Sequence, residues 1–441
     1  MKLFTCEARK LLGMRFFLFA VGVLLVGALV SCNNIVDPLG SVDLPTSEKD
    51  QISDDGQTPV FGYYYLANAA HCDDRYYYST QGYELLAYDF STGEASSPCK
   101  DPMCSHQTVL KDLDTGCPFG AGAKIVSIEN KVIYYQTTYV DPDSEKYSVF
   151  RVYSYNQKNL RQTLLFELPD AFSDGLICKT GDYIYYERST INEDFSIDIF
   201  LCRYNVKSQK NETLYAFDYV VGSLDANVLS DRTARKRTNG LEPLFVDDQE
   251  RVYFTSTANM NSGGDFPLQL YTSDLKSDRE AKKLPGLEKW RVAASNAVFY
   301  RENVLYFAAK KGEASIIAAY DLSTARSTVL AENVYPSFTV AGDHLYCFSR
   351  ESREVKASGT KMSVSNTVLD IDLTNGQTQS ATFDIGIAGW KAILNPVFAA
   401  DGRVVTKCPV VSDDNGELIY RRSCLMILDL KNRKCLLSDA L

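Results

Sequence analysis

From about residue 60 the apolar and aromatic positions fall in short runs, separated by glycine, asparagine, aspartate and serine. Little of the chain repeats with a helical period, so the pattern predicts an all-β fold. Two marks recur in fixed order. The first is an aromatic strand: Tyr76-Tyr77-Tyr78, Ile133-Tyr134-Tyr135, Ile184-Tyr185-Tyr186, Val252-Tyr253-Phe254, Leu305-Tyr306-Phe307, Leu345-Tyr346-Cys347 and a weaker Val404-Val405. The second is a strand running into a turn opened by Asp89, Asn156, Asn205, Asp274, Asp321, Asp372 or Asp429. The pair of marks appears seven times at a spacing of about 50–60 residues. Each unit reads as four strands, most clearly GLICKT, YIYYER, DIFLCRYN and ETLYAF in the third. Four-stranded units in series predict a β-propeller over 60–441, most simply of seven blades, with six or eight as alternatives. The alternatives arise from GYYYL, Gly62 to Leu66, which reads either as the inner strand of the first blade or as a strand closing the ring onto the last. The seven Asp and Asn residues are expected to fix hairpins by bonding to backbone two residues on.

The front of the chain breaks this pattern. Lys2, Arg9, Lys10 and Arg15 precede the uncharged apolar run Phe16 to Val30, which fits the hydrophobic part of a secretory signal better than a membrane span. The run ends in Leu29-Val30-Ser31-Cys32, which resembles the bacterial lipobox. That resemblance implies a signal peptide over 1–31, cleavage before Cys32 and lipidation of its sulfur. Residues 32–59 are polar and rich in proline, glycine and aspartate, and read as a disordered tether with a mean reach of roughly 25–30 Å. The expected location is the cell envelope, outside the cytoplasm, with the membrane contact made by the lipid.

Charge supports that placement. The full chain carries a formal −10, and loss of residues 1–31 leaves about −13. Such a field disfavours nucleic acid and anionic lipid as partners. The one dense basic run is Arg232, Arg235, Lys236 and Arg237, after the third unit; it reads as a solvated loop or as a contact for an acidic polymer.

The distinctive chemistry lies in CKDPMCSHQTVLKDLDTGC, between the first and second units. Cys99, Cys104, His106 and Cys117 make a complete tetrahedral set for one structural zinc. The competing readings are disulfides among Cys72, Cys99, Cys104 and Cys117, or reduced thiols. Cys178, Cys202, Cys347, Cys408, Cys424 and Cys435 sit among apolar strand residues and read as small buried hydrophobes, inter-blade disulfides being the alternative.

The tyrosine-rich strands, the turn Tyr88-Asp89-Phe90-Ser91-Thr92-Gly93 and the segment from Cys99 to His106 resemble a group of bacterial surface lipoproteins classed with TolB-like and low-density-lipoprotein-receptor-like propellers. The resemblance implies a surface propeller and supplies no activity.

No nucleophile elbow, phosphate loop or zinc-protease motif occurs, and only three histidines are present. His344 occupies a tyrosine position of the repeat and reads as structural. DDNGE, Asp413 to Glu417, reads as a solvated turn rather than a calcium loop. The expected function is binding or scaffolding, with a glycan, peptide or envelope protein as ligand on the end bearing the long loops 137–148, 187–197, 256–267 and 351–366. The alternative is a carbohydrate-active hydrolase or lyase on the same scaffold.

Overall fold

The computed structural model describes the chain from Thr46 to Ser438 with interruptions; residues 1–45, 51–59, 65–68, 73–74, 80–84, 90–91, 93, 105–116, 120–122, 140–148, 170–175, 192–196, 222–234, 238–240, 257–265, 278–279, 294–296, 356–359, 384–389, 393–394, 401 and 439–441 lie outside the described residues. Cys32, the signal segment, His106 and Arg232 therefore fall outside them. Among the described residues no helix is long and apolar enough to cross a membrane.

The fold is a β-propeller of four-stranded antiparallel blades. Seven sheets are described, and each contains one up-and-down meander. Their innermost strands, blades 1 to 7 in order, are Ala69–Cys72, Lys124–Glu129, Leu176–Thr180, Leu241–Val246, Val298–Arg301, Val334–Ala341 and Asn395–Ala400. The aromatic mark of the sequence is always the second strand, and the Asp or Asn mark ends the third.

The packing explains the aromatic pairs. Successive strand residues point to opposite faces, and each blade is covered on both. Tyr185 packs with Leu241, Val246 and Phe254 of blade 4, whereas Tyr186 packs with Val152 and Phe166 of blade 2. Tyr253 and Phe254 divide in the same way between blades 5 and 3. A strand buried on both faces tolerates two large apolar residues in a row. The ring closes: Asn395–Ala400 lies against Ala69–Cys72, and Tyr88 of blade 1 shares a core with Val405 and Ile427 of blade 7.

Val60–Tyr64, which covers most of GYYYL, belongs neither to the first blade nor to the last. It pairs antiparallel with Val298–Arg301, with Phe61 opposite Tyr300 and Gly62 opposite Phe299. The innermost strand of blade 5 has an open edge toward the ring axis, and Val60–Tyr64 satisfies its backbone groups. Thr46–Asp50, inside the stretch expected as a tether, is a strand on the far side of Val60–Tyr64 and lies beside the innermost strands of blades 1 to 4.

The two ends of the ring differ. At one end are the turns joining first to second and third to fourth strands. All seven Asp and Asn marks cap turns there: backbone N–H groups two residues on, of Lys158, Lys207, Lys276, Ser323 and Thr374, donate to the side-chain oxygens of Asn156, Asn205, Asp274, Asp321 and Asp372, and those three residues on, of Thr92 and Asn432, donate to Asp89 and Asp429, all at 2.7–3.0 Å. The Ser323 and Thr374 hydroxyls also donate, and with the backbone they hold the Asp321 and Asp372 carboxyls below the usual carboxylate range. The other end carries the connections between second and third strands and between blades. There Glu351–Val355 and Thr360–Val364 form a hairpin inserted in blade 6, and Val355 pairs in parallel with Leu418 of blade 7. Blade 7 extends to meet it through the long strands Arg403–Asp414 and Glu417–Asp429. Asn415 and Gly416, with φ of 57° and 85°, close that hairpin, so DDNGE is a tight turn of the two-residue type.

Candidate metal centre

Cys99, Cys104 and Cys117 converge. Their sulfur atoms all lie within 4.8 Å of one another. Three corners of a tetrahedron with metal–sulfur bonds of about 2.3 Å lie about 3.8 Å apart, so the triangle has the size of a thiolate metal site. Local structure sets it up. Blade 1 ends in the short strand Ala95–Ser96, after which Cys99 N–H donates to the Ser97 hydroxyl at 3.2 Å. Met103 N–H donates to the Asp101 carboxylate at 2.9 Å, and Cys104 N–H to the Asp101 carbonyl at 3.2 Å, which turns the chain back on itself. Phe119 then seats the returning strand: its carbonyl accepts from Leu85 N–H at 3.4 Å, and its ring packs 5.0 Å from Tyr135 and 4.9 Å from Tyr155.

The surroundings are apolar, with Leu85, Ala87, Ile125, Ile128 and Ile133 around the sulfurs. Burial pushes the Cys99 thiol up and the Cys117 thiol up to about 12. Against that, the backbone N–H two residues on donates to each sulfur, Asp101 to Cys99 and Phe119 to Cys117, and the Ser97 hydroxyl lies 3.9 Å from the Cys117 sulfur. N–H donors aimed at sulfur favour thiolate, the form a metal requires. Metal uptake must then expel protons that the pocket retains at neutral pH. The expected result is an association constant that rises with pH through the neutral range with a logarithmic slope of about two or more, the protons held by Cys99 and Cys117 being expelled. Zinc titration against a competing chelator at several pH values measures it; a slope near zero would show that the sulfurs do not bind the ion.

Cys72 is not part of this group. It pairs with Arg75, which pairs with Asp89, the last residue of the third strand, whereas Phe119 is bonded to Leu85, the first residue of that strand. Cys72 therefore lies about 13 Å away along the strand and two strands across, beyond the Cα separation of a disulfide. His106 lies outside the described residues.

The other candidates sort as follows. Arg235, Lys236 and Arg237 form a short strand on the outer edge of blade 3, opposite Val221, Val220 and Tyr219, so this part of the basic run is a strand rather than a loop. Alternation puts Arg235 and Arg237 on one face of that strand and Lys236 on the other. His344 hydrogen-bonds Asp370 at 2.7 Å through Nδ1 and stacks on Tyr346, a structural placement. Cys178, Cys202 and Cys347 are buried in blade cores, as expected.

A chain of polar contacts between blades is not evident from sequence. At the tight-turn end Lys179 of blade 3, 3% exposed, donates to Glu129 of blade 2 at 2.5 Å and lies over the Tyr134 ring. Arg203 of blade 3 reaches Glu250 of blade 4 at 2.7 Å, Arg251 of blade 4 reaches the Tyr300 hydroxyl of blade 5, and Arg301 of blade 5 reaches Asp343 of blade 6. The available signal was a lysine in the apolar strand LICKT and the arginines that open or close strands.

No family model matches the chain, and no curated protein matches it by sequence. Solved structures of similar fold include the β-propeller domain of the Trilobed protease from Pyrococcus furiosus, at 9% identity and TM-score 0.41, covering 90% of this chain and 98% of that one. An oligogalacturonate lyase in complex with manganese gives 12% identity and TM-score 0.39, covering 90% and 97%. TolB from Acinetobacter baumannii gives 11% identity and TM-score 0.30, covering 91% and 81%.

Proposed function

We propose that this chain is a lipid-anchored envelope protein that binds or scaffolds, with the loop-bearing end of the propeller as its ligand surface. The observation that carries the reading is the asymmetry of the two ends. One end is finished by short, side-chain-capped turns. The other gathers the built-out hairpin Glu351–Val364, the extended ribbon of blade 7 and the cysteine connection. Elaboration confined to one end of a rigid scaffold is how such folds carry recognition. The ligand class is an extracytoplasmic glycan, a peptide or another envelope protein. Cys99, Cys104 and Cys117, with His106 as the fourth ligand, hold one structural zinc, whose role is to fix the connection between blades 1 and 2. Met103, 89% exposed at the tip between Cys99 and Cys104, is then a rigidly presented contact.

The test is binding of the full chain to immobilised envelope polysaccharides and to solubilised envelope proteins. Replacing 351–364 by a short turn should weaken capture by at least about tenfold, the loss of roughly 1.4 kcal/mol or more of contact energy. Undiminished capture by the shortened protein would move the ligand surface elsewhere. Release of soluble sugar from the same polysaccharide would favour the hydrolase or lyase reading.

A further inference from the structure

The register of blade 7 brings together two cysteines far apart in sequence. Cys408 stands directly opposite Cys424 in the antiparallel pair formed by Arg403–Asp414 and Glu417–Asp429. Opposite residues in such a pair have Cα atoms about 4.5–5.5 Å apart, inside the 4.4–6.8 Å range that a disulfide spans. Their location in the blade is specific. The innermost strand Asn395–Ala400 pairs as far as Lys407, and the outermost strand Lys434–Ser438 pairs as far as Leu425. The Cys408–Cys424 rung is the next one out. It stands where the four-stranded blade ends and the ribbon 409–423 begins, with the short strand Trp390–Ala392 paired along Val410–Ser412 just beyond it. That ribbon runs up to the Asn415-Gly416 turn and meets the blade 6 hairpin at Leu418. Strand alternation puts positions 408 and 424 on the face that carries Val404, Val410, Met426 and Leu428, which packs against Tyr346, Phe348 and Val368 of blade 6.

We infer that Cys408 and Cys424 form a cross-strand disulfide that staples the root of this ribbon. The pairing requires an oxidant of the disulfide class. One cysteine thiolate attacks the donor disulfide and releases the first donor thiol; the second thiolate displaces the other donor sulfur. The two cysteines are oxidised by two electrons in all, the donor leaves as two thiols, and the two cysteine protons end on them. The staple holds the ribbon against local opening just beyond the last rungs that four strands secure, and so keeps a contact of the loop-bearing end in place. A bulge between Val410 and Val411 lies immediately outside it.

The test is peptide mapping of the full chain after refolding in a buffer of reduced glutathione and glutathione disulfide, with remaining thiols alkylated. The expected result is one crosslinked peptide joining Cys408 to Cys424, two hydrogens lighter than the separate thiols. The oxidised protein should also melt at a higher temperature than the reduced protein, and C408S/C424S should abolish that difference. Alkylation of both cysteines, or linkage of either to another residue, overturns the pairing. Linkage with no difference in melting overturns the stapling role.

Discussion

Asp247→Ala is expected to destabilise the protein by about 3–5 kcal/mol, the range for removing one partner of a buried ion pair. Asp247 is fully buried at the first turn of blade 4. Its carboxylate accepts four hydrogen bonds: from the backbone of Gln249 at 3.0 Å and Arg251 at 2.9 Å, from Arg251 Nε at 2.8 Å, and from the Tyr253 hydroxyl at 3.2 Å. Burial pushes this carboxyl up, and the Arg251 backbone and guanidinium oppose the rise. Alanine would leave a buried tyrosine hydroxyl and a largely buried guanidinium short of an acceptor, and would untie the turn. The damage would spread, because Arg251 is also the link to Tyr300 of blade 5. Urea unfolding of wild type and variant measures the loss as a shift in midpoint. The informative control is Asp321→Ala, which removes an exposed turn cap and should shift the midpoint far less. Equal effects from the two substitutions would refute the buried-pair account.

The fold was legible in the sequence because its logic is local and repeated. Each blade needs an aromatic strand that packs on both faces and a polar residue that caps a tight turn, and both needs leave marks at fixed positions. The seven capping residues from Asp89 to Asp429 are each identifiable from the repeat. The cysteine segment was legible in part. Three thiols within a short span of chain name a candidate site, but only strand register could separate Cys72 from it. Pairing over longer range was hidden. Nothing local says that Val60–Tyr64 completes the edge of blade 5. Cys408 and Cys424 look like separate hydrophobes until the register of one long hairpin, bulge included, sets them opposite each other. Asp247 was hidden for a different reason: in FVDDQE a buried, four-times-bonded aspartate and a solvated turn residue have the same letters around them.

The same packing that made the tyrosines visible makes the protein vulnerable to alkali. Burial pushes the Tyr88 hydroxyl up to about 12 and raises those of Tyr135, Tyr155, Tyr186, Tyr253 and Tyr306 above the ordinary phenol value. These protons stay on in the folded state, while the unfolded chain releases them near pH 10. The sign follows from linkage: the stabilisation is complete below about pH 10 and is lost as pH rises from there through the folded-state values. Each such group removes about 1.4 kcal/mol per pH unit over that window. Several such groups together remove several kcal/mol across that window, a large share of the stability of an ordinary domain. The Cys99 and Cys117 thiols, raised in the same way, add to the slope in the metal-free protein. The expected result is therefore cooperative unfolding near pH 11, with phenolate absorbance rising in a step that coincides with loss of the β-sheet circular dichroism signal. Exposed tyrosines will titrate smoothly beneath that step. A single smooth titration of all 28 tyrosines centred near pH 10, with the sheet signal intact, would mean that the inter-blade layers are open to water, contrary to the packing described for them.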